Sequence, residues 1–114
     1  MRTLNDYFLH AAIADISTAS STFVPVPDGG KVIKIITSIA NAISSANAAL
    51  TWEIGGTAMT GSAITVTQSG SAAGDVDTSE PTAANDVAED GTIEMISDGS
   101  STACECVVTF VIRR

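Results

Sequence analysis

The last quarter of the chain most constrains its fold, because apolar and polar residues alternate there in two segments. The alternation over 92–97 and again over 103–112 is typical of β-strands, in which successive side chains point to opposite faces. Asp98-Gly99 stands between the two segments and favours a hairpin turn. These residues therefore predict a terminal β-hairpin that is built into an all-β domain.

Strand-like patterns upstream begin near 13–17, and four further segments follow at 22–26, 31–40, 48–54 and 62–68. Pro25 and Pro27 favour a sheet edge for the first of them, because proline lacks the N–H that an inner strand needs. The second is apolar on both faces, which favours a central strand. The chain has the length of one domain, and about eight short strands with these turns predict a single antiparallel β-sandwich that is jelly-roll-like.

The first 15 residues differ from the rest and are predicted to form an N-terminal arm, so that the sandwich occupies 16–114. Leu4, Tyr7 and Phe8 have the spacing of one helix face, which Ala11 and Ala12 continue. The segment therefore fits a short amphipathic helix, and an extended arm fits it equally well. In either form its aromatic side chains could dock on a neighbouring protein or cover one end of their own sandwich.

The chain is strongly acidic, with 5 Lys and Arg residues against 13 Asp and Glu residues and a net charge of −8. Such a surface repels a phosphate backbone, so we expect no direct nucleic-acid binding. The basic residues are confined to three places, namely Arg2, Lys31 with Lys34, and Arg113 with Arg114. This separation could orient the protein on a partner, or the acidic residues could serve only to keep the domain soluble.

Membrane and secretion signals are missing from the sequence. No apolar run approaches the roughly 18 residues that cross a bilayer, and the first residues lack the apolar core of a signal peptide. We therefore expect no membrane partner and a protein that is made and used without secretion. Cys104 and Cys106 are predicted to be reduced, buried thiols, because their i, i+2 spacing in a strand disfavours a mutual disulfide.

Catalytic signatures are also missing. His10 is the sole histidine, no Gly-x-Ser-x-Gly elbow occurs, and Gly29-Gly30-Lys31 lacks the spacing of a phosphate-binding loop. A zinc site would need more ligands than one histidine and two cysteines. We therefore expect no enzyme activity, no cofactor and no metal.

The segment 69–90 is predicted to be a long irregular loop, and loops of this length are usually functional or partly mobile. Asp75, Asp77 and Glu80 suggest calcium, but the EF-hand pattern requires glycine at the place where Glu80 stands. We therefore interpret these three carboxylates as solvent-exposed loop residues and not as a calcium site. Val87 is predicted to be a small apolar plug that holds the end of the loop against the core.

Several stretches of the chain resemble small head proteins of tailed bacteriophages, and specifically a capsid decoration, or cement, protein. The resemblance extends over most of the chain. It is carried by Asn5-Asp6-Tyr7-Phe8, the run at 14–19, the turn at 24–30, the segment 89–94 and the closing segment 109–112.

The resemblance implies a non-enzymatic virion protein that lies on the outer surface of a capsid and bridges capsid subunits. It also implies the major capsid protein as partner and a homo-oligomer, with a trimer favoured, made in the host cytoplasm. Apolar anchors in the arm and basic residues near both termini would form the interface. The residues predicted for it are Arg2, Leu4, Tyr7, Phe8, Arg113 and Arg114.

Two other functions fit the sequence. A phage tail or fibre β-sandwich module would use the segment 69–90 to bind a host receptor or glycan. A carbohydrate-binding module would need exposed aromatic platforms, and Trp52, the lone tryptophan, is better placed as a core residue because it alternates with Leu50 and Ile54.

Overall fold

Alternating apolar residues place most of this chain in β-strands. The computed structural model describes residues 5–99 and 101–114, and this part of the chain contains ten strands and no helix. It therefore has no helix that could cross a bilayer. The strands are β1 (Asp6–Ile13), β2 (Ser20–Pro25), β3 (Gly30–Ile39), β4 (Ala48–Ile54), β5 (Thr57–Ala58), β6 (Ile64–Val66), β7 (Val76–Ser79), β8 (Asp86–Val87), β9 (Thr92–Ser97) and β10 (Cys106–Arg113).

The strands form two antiparallel sheets. The first, here named sheet A, has the order β1-β10-β3-β7, with β8 also paired to β3. The second, sheet B, has the order β2-β9-β4-β5, with β6 also paired to β4. The first four strands alternate between the sheets, and β10 and β9 return beside β1 and β2. This is the strand order of a jelly roll, so the predicted all-β sandwich is confirmed.

The core lies between the inner faces of the two sheets. Trp52 of β4 is 0% exposed and meets Phe110 of β10 edge to face, with ring centroids 5.7 Å apart. Leu50 and Met95 are buried with it from sheet B, and Ile35 from sheet A. The prediction that Trp52 is a core residue is confirmed, and burying large aromatic side chains of this kind supplies much of the stability of a small domain.

Two predicted strand positions are confirmed, namely the sheet edge for the proline-containing strand and a central place for the strand that is apolar on both faces. β3 lies inside sheet A, between β10 and β7, and β2 is an edge strand of sheet B. Val26 donates its N–H to the Gly91 carbonyl and accepts from the Asp90 N–H. Because hydrogen-bonded positions alternate along an antiparallel pair, the nitrogen of Pro25 faces away from β9, where no donor is needed.

The predicted terminal hairpin is wrong. β9 pairs with β2 and β4 in sheet B, whereas β10 pairs with β1 and β3 in sheet A. Asp98 exchanges hydrogen bonds with Ala49, which hold the turn to β4, and Gly99 has a φ of +74° and packs against the Ala19 backbone. Asp98-Gly99 is therefore a turn that leads the chain from one sheet to the other.

The segment predicted as a helix or an extended arm forms an edge strand. β1 pairs with β10 along its whole length, from Asp6 opposite Arg113 to Ile13 opposite Cys106. A helix would have left this edge of β10 without partners for its backbone groups, whereas pairing satisfies them. The strand also directs Leu9 toward the core, where it packs against the buried cluster.

The segment 69–90 is more ordered than predicted. It contains β7 and β8, both paired to β3, and Ala83 forms a single bridge with Thr60. Asn85 is buried and donates its side-chain amide to the Val32 carbonyl at 2.6 Å. Val87 is also buried, as predicted for a plug at the end of the loop.

Candidate partner interface

The outer face of sheet A carries most of the large apolar side chains that the described residues leave exposed. Phe8 is 55% exposed, Val107 46% and Val76 60%. The strand register places Ala12, Val107, Ser38 and Val76 in one row across the sheet. Ile36 lies on the same face, and we call Phe8, Ala12, Ile36, Val76 and Val107 the outer patch.

A polar row divides the outer patch. His10 is opposite Thr109, whose hydroxyl lies 3.0 Å from His10 Nδ1. Phe8 lies on one side of this row, and Val107 with Val76 on the other. Three of the four large apolar side chains that the described residues expose share this face, so it is the best candidate for contact with another protein.

The outer face of sheet B has a different character. Its one exposed large apolar side chain among the described residues is Phe23, which is 61% exposed. Phe23 is opposite Glu94, which is itself opposite Glu53. The two outer faces therefore differ in charge, because the described Lys and Arg side chains all belong to sheet A or follow it directly.

Those cations lie near the start of β3 and the end of β10, and we call Lys31, Lys34, Arg113 and Arg114 the basic end. A shallow depression of about 460 Å³ opens here. The depression is lined by Gly30, Lys31, Asp86, Val87, Arg113 and Arg114. The three cations of this lining are each paired with a carboxylate of the same chain, and one of those carboxylates, Asp86, also lines the depression.

Arg113 is bound to its own chain. Its Nε lies 2.8 Å from Asp6 Oδ1 and its Nη2 3.1 Å from Asp6 Oδ2, a two-pronged ion pair. The Asp6 side chain is only 1% exposed, and its hydrogen bond raises the pKa of Arg113. Arg113 therefore ties the beginning of β1 to the end of β10, with about half of its side chain still accessible.

Arg114 and Tyr7 also contact their own chain. Arg114 Nη1 donates to Asp28 at 2.6 Å, and its guanidinium lies 5.6 Å from the centre of the Tyr7 ring. The Tyr7 hydroxyl donates to the Gly29 carbonyl at 3.2 Å. Burial, and then the nearby Asp28 carboxylate, raise the pKa of Tyr7.

Lys31 forms a more exposed ion pair with Asp86, at 3.2 Å. Among the described contacts, Lys34 has no ion pair, and it stands on the outer face opposite Val111 in the same row as Phe8. Lys34 is thus the cation that a partner could engage without displacing a carboxylate.

The sequence-predicted interface residues are only partly brought together. Tyr7, Arg113 and Arg114 meet at the basic end, and Phe8 lies on the outer patch beside it. Tyr7 is half-buried and directed toward the core, so it is not an exposed anchor. Arg2 and Leu4 lie outside the described residues.

Sequence reasoning missed Val107 and Val76. Because side chains alternate along β10, Val107 points away from the core when Val108 points into it. The sequence therefore contained a signal for the exposure of Val107. Val76 carried no such signal, because it lies in a segment without clear alternation that becomes a strand only through pairing with β3.

Titratable clusters are sparse in the part of the chain that the structure describes. No group of three or more His, Cys, Asp or Glu side chains there could hold a metal ion. Burial, followed by the nearby Asp75, raises the pKa of Asp77. Cys104 and Cys106 are free and buried, as predicted, and burial raises the pKa of Cys106 to about 11.

A carbohydrate platform at Trp52 is not available, because that side chain is fully buried. No protein-family model and no curated protein matches this chain. The fold and the two contrasting outer faces of the sandwich are therefore the basis for assigning a function.

Proposed function

We propose that this chain is a non-enzymatic structural virion protein that binds the outer surface of a phage capsid and stabilises it by bridging capsid subunits. The outer patch on sheet A is the observation that supports this most, because it offers apolar contact on one face of an otherwise acidic domain. The sequence resemblance to capsid decoration proteins supplies the class of partner.

The outer patch is suited to contact because its side chains are held by a sheet. β10 lies between β1 and β3, so Val107 and Phe8 keep fixed relative positions and lose little freedom when they are covered. Lys34 stands beside them as an accessible cation. A complementary site on a capsid subunit would present apolar side chains with a carboxylate near Lys34.

A single outer patch would bind weakly. A stable interface commonly involves about 20–30 residues on each partner, which is more than the patch provides. Attachment at several points on a repetitive shell makes each further contact intramolecular and raises the overall affinity by orders of magnitude. Bridging two capsid subunits would therefore stabilise the shell and also secure the bound protein.

The first test is the number of copies on purified particles of the phage that encodes the chain. Quantitative mass spectrometry should find the chain at a substantial fraction of the copy number of the major capsid protein. A few copies per particle would favour the tail or fibre module that binds a receptor or glycan. Absence from intact particles would contradict both functions.

The second test replaces one aromatic residue on each outer face. Phe8→Glu should weaken binding to particles that lack the protein by at least about tenfold, because it places a carboxylate in an apolar contact. Phe23→Glu is the matched control, because Phe23 has similar exposure on an edge strand of sheet B. Equal loss of binding in both variants would argue against sheet A as the contact face.

Val107→Glu completes this test, because Val107 lies on β10 and not at the sheet edge. It should also weaken particle binding, as measured by co-sedimentation with particles. Unchanged binding by Val107→Glu would remove the centre of the outer patch from the interface.

A further inference from the structure

β1 is a long sheet edge that lacks the usual protection. It has eight residues, whereas the edge strands β5, β6, β7 and β8 have two, three, four and two. β2 is the other long edge, and Pro25 interrupts its outward row of donors. Natural edges are commonly shortened, charged or given proline so that they do not pair with another chain.

The backbone of β1 presents a regular row of N–H and C=O groups on the side that faces away from β10. Arg114 donates its N–H to the Asn5 carbonyl, which fixes the alternation of hydrogen bonds between β1 and β10. The N–H and C=O groups of Phe8, His10 and Ala12 consequently point away from β10. β1 pairs with no other described strand, so these three residues form a template for one more strand.

We propose that β1 pairs with β1 of a second copy of this chain, antiparallel and around a two-fold axis at His10. The pairing would join the two A sheets into one continuous sheet. It goes beyond the proposed function and does not depend on it, because two copies would pair in solution without a capsid.

The choice of a second copy follows from the shortage of other edges. A head-to-tail assembly would need a second long edge with an uninterrupted row of outward donors to receive β1, and the described strands provide none. Two-fold pairing needs only one such edge, because the same surface serves on both subunits. The protected edge β2 and the short strands are thereby left out of the interface.

The side chains of β1 complement their own antiparallel copy. The large residues Tyr7, Phe8 and Leu9 occupy its first half, and the small residues Ala11 and Ala12 its second half. With His10 at the axis, Phe8 lies opposite Ala12 of the partner copy, and Leu9 lies opposite Ala11 of the partner copy. These two pairs, one on each face of the joined sheet, set a large side chain against a small one, and Tyr7 lies opposite Ile13 of the partner copy.

Charge also permits this register. The only carboxylate of β1 is Asp6, which would lie opposite the uncharged Ala14 of the partner copy. The antiparallel arrangement sets the end of β10 that carries Arg113 in the same row as Glu105 of the partner copy. No like charges face each other at the junction, so the net charge of each copy acts only at longer range.

The first experiment measures the mass of the purified full chain by sedimentation equilibrium over a range of concentrations. We expect a reversible dimer of about 23.2 kDa, twice the 11.6 kDa of one chain. His10→Pro removes one outward N–H and the side-chain contact with Thr109, but it leaves the β1–β10 backbone hydrogen bonds intact. It should raise the dimer dissociation constant at least about tenfold. Ser21→Pro is the control, at an outward position of β2, and should leave the dimer unchanged.

The second experiment does not depend on whether the His10→Pro variant folds. Paired residues on neighbouring strands have Cα atoms about 5.5 Å apart, which suits a disulfide. His10→Cys should therefore give a covalent dimer on mild oxidation, whereas Ser21→Cys should not. The native Cys104 and Cys106 are buried and would not interfere.

Three results would overturn the two-fold pairing. The first is a monomer at every concentration, and the second is a trimer. The third is a dimer that is not weakened by the His10→Pro substitution and is not cross-linked through a cysteine introduced by His10→Cys. If the chain is monomeric but His10→Pro abolishes particle binding, the β1 edge receives a capsid strand and not a second copy. Failure of the proposed capsid function would instead appear as absence from particles, whatever the mass in solution.

Discussion

At the scale of single residues, Asp15 links stability to pH. Ser17 donates its hydroxyl at 2.6 Å and its N–H at 2.9 Å to Asp15 Oδ1, and these bonds lower the pKa of Asp15. Because the folded state favours the charged form, the stabilisation is present above the ordinary carboxyl pKa of about 3.9. It is lost as the pH falls through the lower folded value.

Asp15→Asn should therefore destabilise the protein near neutral pH and reduce the fall in stability on acidification below about pH 4. Urea unfolding at a series of pH values measures both effects. Glu105→Gln removes the same charge at an exposed position and is the charge-matched control. Parallel pH profiles for Asp15→Asn and the natural chain would refute this role.

The two thiols make a second prediction at this scale. Burial, and then the nearby Cys104 and Asp77, raise the pKa of Cys106 to about 11, so almost no reactive thiolate exists at pH 8. We expect neither buried thiol to react with a disulfide reagent at pH 8 until the chain unfolds. Ser21→Cys should react at once under the same conditions. Rapid labelling of the natural chain would show that the core opens readily.

At the scale of elements, the turn at Asp98-Gly99 decides which sheet the chain enters next. Gly99 and Gly70 have similar φ values of +74° and +72°, but only Gly99 packs against backbone, that of Thr18 and Ala19. Gly70→Ala should cost about 1 kcal/mol, the penalty of a left-handed conformation alone. Gly99→Ala should cost at least about 2 kcal/mol, because Cβ would also collide with that backbone.

Denaturant unfolding of the two variants measures this difference, with tryptophan fluorescence of the buried Trp52 as the signal. Equal destabilisation of Gly99→Ala and Gly70→Ala would mean that the connection can shift away from Ala19. The crossing between sheets would then be set by the strands and not by the turn.

β1 and β2 illustrate how local sequence controls an edge. Both are edge strands of comparable length, yet Pro25 leaves β2 without one outward donor. The sequence shows that β1 contains no proline. This absence matters only because the structure makes β1 an edge strand, whose outward donors then stay free to pair. Its pattern over residues 4–12 fits a helix face as well as a strand, so local spacing could not decide between them.

At the scale of the whole molecule, β10 holds sheet A together. It lies between β1 and β3, whereas β1 has a partner on one side only. Deleting 106–114 should abolish cooperative folding, because it exposes the core around Trp52 and removes Phe110. Deleting 1–13 should leave a folded but less stable domain.

Circular dichroism and the emission maximum of Trp52 distinguish these outcomes for the two deletions. A folded chain without β10 would show that sheet B and β3 suffice for the core. An unfolded chain without β1 would show that the sandwich cannot tolerate the open edge of β10.

Much of the local structure could be predicted, but the candidate interface could not. Alternation identified β4, β9 and β10 and the burial of Trp52. It did not reveal that Val76 and Val107 share a row, because they are 31 residues apart in number and meet only through β3. The proposed anchor Tyr7 was directed inward by the same pairing that made Phe8 exposed.

The sequence by itself determined that this chain builds strands, which side chains of a strand share a face, and that its charge is strongly acidic. These properties depend on neighbours one or two residues apart. Only the tertiary structure decided which strands pair, that β9 and β10 belong to different sheets, and that β1 ends as an open edge. Those outcomes depend on contacts between distant parts of the chain, where backbone hydrogen bonds and core packing select one arrangement among many with the same local pattern.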